Sequence, residues 1–420
     1  MKRSRLPMLA LFPLSVIAVV AGTPLFIGDH PVRWESGSAL PEIVFDADSG
    51  SGADTADPKA PGATDDIAGG SSDLDGTRVD RVAKVWKPGM PQWGVQIYWE
   101  DEPKSQSDEF IEGQARKQAK YLIGLGANSV SLSFPFYTGG PTSNTLSAGP
   151  KTPSPQRVDR VLRVFREAGL RVTVRPLMDE KSLKPPKGWR GNIDPASRSA
   201  WFASYEDFLT PYLKTAEKRK ATTFVVGTEL NSMEGEAGWS SLVGSAEKKF
   251  SGEISYDANW DNYVRGRIDM PVSHLGVDAY FPIKVPDSAS VDTLVDGWNT
   301  WLDKKSTGPL PKIVIAEAGI GAMDGAYHAP GDFYTKDTVN LKVQANWYKA
   351  VCRVVEQRRM GGVYWWSIHF QDDPNTAPDD KTASRLDFAG RPASEKAIKA
   401  CFTSDYAGPG AAATAATDRR

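Results

Sequence analysis

Residues 225–232 read VVGTELNS, a sequence that joins a β-branched apolar run to a glycine and then to a glutamate. The apolar run belongs to TTFVVG (222–227), which predicts a buried β-strand. A carboxylate at the end of such a strand is either an ordinary surface group or part of a site that the strand positions. The rest of the chain decides which of these describes Glu229.

Eight short runs rich in β-branched and aromatic residues recur along the chain, and helical patterns lie between most of them. The predicted strands are 93–99, 128–134, 171–176, 222–227, 253–259, 274–280, 312–318 and 362–368. The predicted helices cover about 108–125, 158–170, 197–219, 240–249, 289–304, 341–358 and 394–402. This alternation favours a parallel sheet covered by helices. Eight βα units fit an α/β fold of the (β/α)8 TIM barrel type. The alternative, a doubly wound open sheet, is disfavoured because no G-x-G-x-x-G or Walker sequence follows the first strand.

Two segments precede the predicted barrel. A basic head and an apolar run too short for a spanning helix of roughly 20 residues predict a signal peptide or an uncleaved N-terminal anchor over 1–22. Residues 23–85 are predicted to be a largely disordered, acidic linker, since most of the segment is rich in Asp, Gly, Ser and Ala. The folded domain is predicted over 86–404, and a disordered tail over 405–420. We therefore expect a secreted or extracellular protein, or one that its N-terminal segment anchors to a membrane.

Composition restricts the class of partner. The net charge is −2, from 50 basic and 52 acidic residues, which gives no electrostatic case for a nucleic-acid partner. Thirteen tryptophans favour a flat ligand such as a carbohydrate, although large aromatic residues are also common in cores. Cys352 and Cys401 fall in the last two predicted helices, so a disulfide between them is chemically allowed after export. No Cys/His cluster has metal spacing, and neither a metal nor a cofactor is predicted.

A second glutamate changes the interpretation of the first. The seventh predicted strand reads IVIAEA (313–318) and ends on Glu317, 88 residues after Glu229. In a (β/α)8 barrel the C-terminal ends of the strands share one face, so both side chains can enter one pocket from strands four and seven. A pair of carboxylates suits glycoside cleavage, in which one protonates the leaving oxygen and the other attacks the anomeric carbon. The acid then needs a pKa raised by burial and by its partner's charge.

Five segments in order carry a resemblance to a known family. They are FVVGTEL (224–230), ISYDANW (254–260), LGVDAYFPI (275–283), IVIAEAGI (313–320) and VYWWSI (363–368). With these segments the chain resembles the retaining glycoside hydrolases of clan A and, more narrowly, glycoside hydrolase family 113, the β-mannanase-like group. The resemblance implies that residues 86–404 form a catalytic domain that acts as a monomer on a polysaccharide or oligosaccharide, most simply a β-mannan. It also implies that Glu229 is the general acid/base and Glu317 the nucleophile.

The same resemblance suggests two residues around the nucleophile. Tyr280, after strand six, matches the clan's tyrosine that contacts the nucleophile, with a core tyrosine as the alternative. Trp366 or Trp365 matches the tryptophan beneath the sugar ring. Because side chains alternate along a strand, only one of the two can face the pocket, and we favour Trp366.

Four further residues end predicted strands and are candidates for substrate binding. Asn259 and Trp260 suggest a polar contact and an aromatic wall after strand five, with plain packing as the alternative. Trp99 ends strand one with the same two interpretations. Arg175 ends strand three, where it can bind a hydroxyl, orient a carboxylate or form a structural salt bridge.

The chain departs from the clan pattern at the residue before the acid/base. Many clan A families place an asparagine there to bind the sugar 2-hydroxyl, whereas this chain has Thr228. Asn231 can replace that contact only if the local backbone turns. The long loop 181–194, with Trp189 and Arg190, is expected to line outer sugar subsites. A non-catalytic carbohydrate-binding or wall-associated protein on the same fold is the alternative function.

Overall fold

A computed structural model describes residues 79–179, 183, 188–266, 268–333, 335, 337–381 and 384–410. The predicted signal or anchor segment at 1–22, the linker as far as residue 78 and the tail from residue 411 lie outside the described residues. In the ranges given above, none of the helices is both long and apolar enough to cross a membrane.

Eight parallel strands form a closed barrel. They are β1 (Gln92–Tyr98), β2 (Ser129–Thr138), β3 (Arg171–Met178), β4 (Thr223–Thr228), β5 (Glu253–Asn259), β6 (His274–Asp278), β7 (Ile313–Ala318) and β8 (Gly362–His369). Each strand pairs with the next, and β1 pairs with both β2 and β8, which closes the sheet. The predicted (β/α)8 barrel is therefore confirmed, and the open doubly wound sheet is excluded. A two-residue strand, Leu146–Ser147, pairs antiparallel with the end of β2.

Helices of the described chain surround the barrel. They are α1 (Asp108–Gly124), α2 (Pro155–Glu167), α3 (Arg198–Lys218), α4 (Gly238–Glu247), α5 (Trp260–Arg265), α6 (Val291–Leu302), α7 (Leu341–Gln357) and α8 (Pro392–Phe402). Serine hydroxyls cap the first turns of four of them, from Ser107, Ser154, Ser197 and Ser290. All of these helices except α5 were predicted. The six-residue α5 is too short to show a helical period, and Asn259 caps it.

The interior of the barrel is unusually polar between the strand N-termini and the site. Its lining includes Gln96, Ser131, Thr173 and Ser255, and it encloses a cavity of about 50 Å³. Branched apolar side chains usually fill this space in such barrels. Here the large apolar residues lie mainly between strands and helices, as with Trp201 of α3, which is fully buried. Buried charged groups above the cavity therefore have polar neighbours below them.

Contacts beyond the predicted domain bounds extend the folded unit on both sides. The N–H of Val82 donates to the carbonyl of Ala168 at 2.9 Å. On the other side, the hydroxyl of Tyr406 donates to the carbonyl of Met360 at 2.7 Å. Residues 79–85 and 405–410 thus pack near the N-terminal ends of the strands.

A disulfide joins the last two helices. Cys352 of α7 and Cys401 of α8 are bonded, with their Cα atoms 5.7 Å apart and a sequence separation of 49. The disulfide that the sequence allowed is present. It closes a loop that contains the whole of β8, so it fixes the last βα unit onto its neighbour.

Candidate active site

The two glutamates reach the mouth of the barrel through irregular strand ends. On β4 the pairing with β5 shifts by one residue before Thr228, and on β7 the pairing with β6 shifts before Glu317. Such bulges insert a residue and redirect the side chains that follow. Glu229 has a φ of 53°, in the left-handed region that costs a non-glycine residue roughly 1 kcal/mol. Its N–H donates to the carbonyl of Asp257 at 2.8 Å, which holds this turn.

Glu317 is contacted by a hydroxyl donor on one side and by a guanidinium on the other. It is 3% exposed, and the hydroxyl of Tyr280 donates to its Oε2 at 2.7 Å. On the other side, Nη1 of Arg175 lies 2.6 Å from Oε1. A charge-assisted pair of this kind orients a carboxylate as well as stabilising it. The predicted contact between Tyr280 and Glu317 is present, and Arg175 contacts the carboxylate that it was expected to orient.

Glu229 has a different set of partners. It is 1% exposed, and Nδ2 of Asn259 donates to its Oε1 at 3.0 Å. Nη1 of Arg190 donates to its Oε2 at 3.2 Å. Arg190 begins a short 3-10 turn, Arg190–Asn192, in the long loop after β3. That loop was expected to line outer subsites, yet it also places a guanidinium on the proposed acid/base.

Both glutamates act on the same neighbouring groups. After burial, the charge of Glu317 and then that of Glu229 contribute to raising the pKa of Tyr280 well above its usual range. Burial, Glu317 and, less strongly, Glu229 also raise the pKa of Asp278. Glu229 and Glu317 therefore lie near the same two groups at one end of the barrel, and their joint role in one pocket stays a prediction.

Asp257 and Asp278 are site residues that the sequence analysis missed. Nε of Arg175 donates to Asp257 Oδ2 at 2.6 Å, and Nη2 donates to Asp278 Oδ2 at 2.9 Å. Burial alone would lower the pKa of Arg175, but the carboxylates of Glu317, Asp278 and Asp257 outweigh it and raise the pKa. The available signal was a charged residue inside an otherwise apolar strand, in YDAN and GVDAY.

The two tryptophans of β8 face opposite sides of the strand. The ring of Trp366 lies 5.9 Å from that of Tyr98 and 5.8 Å from the guanidinium of Arg175. Trp365 instead packs against Tyr348 of α7 at 4.9 Å. The structure thus points Trp366 into the barrel and Trp365 toward the helices, as alternation along the strand predicted. Trp366 is fully buried, and its role beneath a sugar ring stays a prediction.

Trp99 and Trp260 are engaged in aromatic packing. The ring of Trp99 lies 4.6 Å from that of Phe370 and is fully buried. Trp260 packs edge-on against Phe281 at 6.0 Å and Trp301 at 5.1 Å. Their predicted roles in substrate binding stay predictions, and the contacts seen are those of the packing alternative.

The residues that flank the acid/base differ in what they contact. Thr228 is 3% exposed, and its hydroxyl has no hydrogen-bond partner among the described residues. Asn231 donates from Nδ2 to Asp261 Oδ1 at 3.3 Å, so its amide is directed to α5. Gly227 is needed for space rather than for a turn, because a Cβ there would lie 3.0 Å from the rings of Trp239 and Tyr256.

Comparison with known proteins identifies the family. The model of Glycoside Hydrolase Family 113 matches residues 102–387. The chain belongs to glycoside hydrolase family 113. This family 113 chain is therefore a glycosidase, and the ordered segments that suggested the resemblance lie at the strand ends just described. No curated protein matches the chain at a significant level.

Solved structures show the same fold at low identity. A GH113 β-1,4-mannanase is 20% identical with a TM-score of 0.61, over 75% of this chain and 99% of that one. The GH113 β-mannanase AaManA from Alicyclobacillus acidocaldarius, in complex with ManMIm, is 20% identical with a TM-score of 0.59, over 75% and 97%. A GH5_18 protein from Streptomyces cattleya in complex with Manβ1-4GlcNAc is 14% identical with a TM-score of 0.50, over 76% and 82%. At these identities the likeness concerns the fold.

In this family 113 glycosidase, hydrogen bonds from neighbouring elements hold the loop that follows Glu229. The hydroxyl of Tyr256 accepts a hydrogen bond from the Leu230 N–H at 2.9 Å and donates to Glu234 Oε1 at 2.8 Å. Asn262 of α5 donates to the other oxygen of Glu234 at 2.7 Å. Nε1 of Trp239 donates to the carbonyl of Met233 at 2.7 Å. The segment after β4 is therefore tied to β5, α5 and α4, which fixes the backbone next to Glu229.

Proposed function

We propose that this protein is a retaining endo-acting hydrolase of β-linked polysaccharide, with β-mannan as its substrate, and that it works by double displacement. The observation that carries the proposal is the pair of buried glutamates at the ends of β4 and β7, each with different partners. Family membership supplies the reaction class, and the related GH113 structures, which are β-mannanases, favour mannan as substrate.

In the first step Glu317 attacks the anomeric carbon. The bond from that carbon to the leaving oxygen breaks, and Glu229 gives its proton to that oxygen. Arg175 and Tyr280 hold the attacking carboxylate in one orientation. The product of the step is a glycosyl ester on Glu317 and a free sugar hydroxyl on the released chain.

In the second step water attacks the same carbon from the opposite face. Glu229 accepts the proton of that water, the ester bond breaks, and Glu317 returns as a carboxylate. Asn259 donates to Oε1 of Glu229, so the transferred proton is placed on Oε2. In the resting protein Nη1 of Arg190 donates to this oxygen at 3.2 Å. The leaving oxygen must therefore displace this contact before the acid can act.

Trp366 provides the flat surface for the bound sugar. It projects inward beside Tyr98 and Arg175, on the same face as the glutamates. Sugar rings expose C–H faces that pack on aromatic rings, and the polar groups at the mouth supply hydrogen bonds to hydroxyls. Thr228 presents one such hydroxyl next to the acid/base.

The test is a screen of mannan, glucomannan, galactomannan, cellulose and xylan with product analysis by NMR during the first turnovers. We expect β-mannan to be cleaved internally, and the new reducing ends to appear first as the β-anomer. Initial release of the α-anomer would overturn the retaining mechanism. Glu317→Gln and Glu229→Gln should each lower kcat by roughly 1000-fold or more while substrate still binds.

Glu234→Gln is the matched control for these two variants. Glu234 lies on the same loop as Glu229, and burial raises its pKa, but its carboxylate is directed to Tyr256 and Asn262. A fall in kcat with this variant as deep as with the other two would point to loop disruption. Carbohydrate binding without turnover by the unmodified protein would instead favour the binding module.

We further propose that residues 1–22 direct export. A basic head followed by a short apolar run supports this location. Cell fractionation with N-terminal sequencing tests it. A mature chain in the medium indicates a cleaved signal, an intact chain in the membrane fraction indicates an anchor, and an intact chain in the cytosol contradicts export.

A further inference from the structure

One guanidinium at the site is surrounded by three carboxylates. Arg175 uses Nε for Asp257 at 2.6 Å, Nη2 for Asp278 at 2.9 Å and Nη1 for Glu317 at 2.6 Å. The side chains of these four residues, the Arg175 cluster, are between 0% and 4% exposed. They come from β3, β5, β6 and β7, so the cluster crosses the barrel just below the catalytic pocket.

The charges of the Arg175 cluster do not balance if all three carboxyls are ionised. One positive charge would then face three negative charges in an interior that water scarcely enters. Glu229 lies nearby, but Arg190 pairs with it. Like charges confined in such a site cannot all ionise, and one carboxyl keeps its proton.

Two of the three carboxyls have surroundings that suit a charge. Glu317 receives the phenol of Tyr280 in addition to Arg175. Asp257 lines the polar cavity below the site, so water can solvate it from that side. Burial raises the pKa of Asp257, and Arg175 acts against that rise. Asp257 and Glu317 nevertheless each have a polar partner beyond the shared guanidinium, the cavity for Asp257 and Tyr280 for Glu317.

Asp278 has neither advantage. It is fully buried and does not line the cavity, and among the described residues its Oδ1 has no hydrogen-bond partner. Its contact with Arg175 is the longest of the three. An unpartnered carboxylate oxygen in a dry site costs more free energy than an unpartnered hydroxyl. Burial, followed by the charge of Glu317, raises the pKa of Asp278 well above its usual range.

We propose that Asp278 carries a proton on Oδ1 in the resting protein and acts as a neutral positioning residue for Arg175 and Glu317. The charged or titratable groups that face it are Arg175 from β3, Glu229 after β4, Asp257 from β5, Glu317 from β7 and Tyr280 from the loop after β6.

The proton gives the cluster a defined charge through the reaction, and this consequence rests on the proposed double displacement. With Asp278 neutral, the cluster carries one net negative charge, and that charge belongs to the nucleophile. When Glu317 becomes an ester, Arg175 and Asp257 remain as a balanced pair. An ionised Asp278 would leave an excess negative charge beside the ester and would oppose the return of Glu317 as a carboxylate in the second step.

The proton can be counted without measuring activity. A group that binds a proton in the folded state but not in the unfolded state raises the unfolding equilibrium constant tenfold per pH unit between its unfolded and folded pKa values. The full chain with its disulfide intact is unfolded in urea between pH 7 and pH 8.5, and the slope is compared for wild type, Asp278→Asn and Asp292→Asn. Asp292 is the control, since it is an exposed aspartate on α6.

We expect the unfolding constants of the wild-type protein and of Asp292→Asn to depend on pH in the same way. The unfolding constant of Asp278→Asn should rise more weakly with pH, by a factor of ten less per pH unit. Equal slopes for wild type and Asp278→Asn would overturn the proposal. If Asp278→Asn does not fold, the wild type still decides, because no change of its unfolding constant with pH near pH 8 means that no carboxyl proton is retained. These measurements do not depend on hydrolase activity. A failure of the proposed function can therefore be distinguished from a failure of the proposed protonation of Asp278.

The pH profile of the reaction gives a second readout. Asp278→Asn keeps a neutral group in place, so both limbs of the kcat/KM profile should stay within about 0.3 pH unit of wild type, about a twofold change in proton concentration. Asp257→Asn removes a negative charge from the cluster and should move the acidic limb to lower pH. An acidic limb that moves with Asp278→Asn as far as with Asp257→Asn would contradict the assignment.

Discussion

Replacing Tyr280 with phenylalanine removes the hydroxyl that contacts Glu317, the proposed nucleophile, and little else. The side chain is 2% exposed, and its hydroxyl donates to Glu317 Oε2 at 2.7 Å. Burial, with the charge of Glu317 next, raises the pKa of Tyr280 well above its usual range. The phenol therefore remains a proton donor over the whole working pH range, and Tyr280→Phe deletes a hydrogen bond that is present throughout.

The size of the effect depends on where in the reaction the bond is strongest. A hydrogen bond to a charged group contributes about 1.5–3 kcal/mol. The hydrogen bond from Tyr280 to Glu317 is strongest in the free enzyme, where Glu317 is a carboxylate. It is weak in the glycosyl ester and is partly restored as the carboxylate leaves. About half of it at the second transition state is roughly 1 kcal/mol, or about fivefold in rate. The first step starts from the full bond, so that step does not slow.

We therefore expect Tyr280→Phe to lower kcat about fivefold and KM at least as much, leaving kcat/KM undiminished. The assay uses an aryl mannoside with a good leaving group, for which breakdown of the intermediate is slow, and follows the burst of released aglycone. Tyr212→Phe is the control, because its hydroxyl donates to the Pro153 carbonyl on the outside of the barrel. An unchanged kcat, or a loss confined to kcat/KM, would refute the reasoning.

Three other predictions concern stability and packing. Burial raises the pKa of Asp387 to about 6, above its unfolded value. The folded protein therefore favours the protonated carboxyl, and the stability gained from that proton is complete below about pH 4 and lost as the pH rises through 6. Because this side chain is partly exposed, Asp387→Asn should raise the free energy of unfolding by only about 1–2 kcal/mol at pH 8 and by nothing at pH 4, as urea titrations would measure. Replacing Cys352 and Cys401 by serine should lower the free energy of unfolding by about 4 kcal/mol, through the opened loop of 49 residues. Gly276→Ala should reduce kcat at least about tenfold, because its Cβ would overlap Asp257 beneath the cluster.

Each of these has an outcome that would contradict it. Equal stabilities of Asp387→Asn and wild type at pH 8 would show that this carboxyl is ionised without cost. The double serine variant should be as stable as the reduced wild-type protein. If it were also as stable as the oxidised wild-type protein, the disulfide would contribute no stability. Gly113→Ala is the control for Gly276→Ala, since a Cβ at Gly113 meets open space on α1 and should raise stability by up to about 1 kcal/mol.

The fold and the positions of the two proposed catalytic glutamates follow from local sequence patterns. Eight β-branched runs with helical spacing between them predict the barrel, because each run is long enough to show its own period. Glu229 and Glu317 were found because each follows such a run, and the strand-end rule places both on one face. Tyr280, Trp366 and Asn259 were identified by the same reasoning combined with the family resemblance.

The sequence by itself thus determined the architecture, the two carboxylates and the face on which they lie. The structure decided how they are directed and what holds them: the bulges of β4 and β7, the pairing of Asp257 and Asp278 with Arg175, and the contact from Arg190 to Glu229. These contacts join residues from 39 to 103 positions apart. A local sequence pattern cannot predict such partners. They come within hydrogen-bond distance only when the barrel closes, because they are distant along the chain.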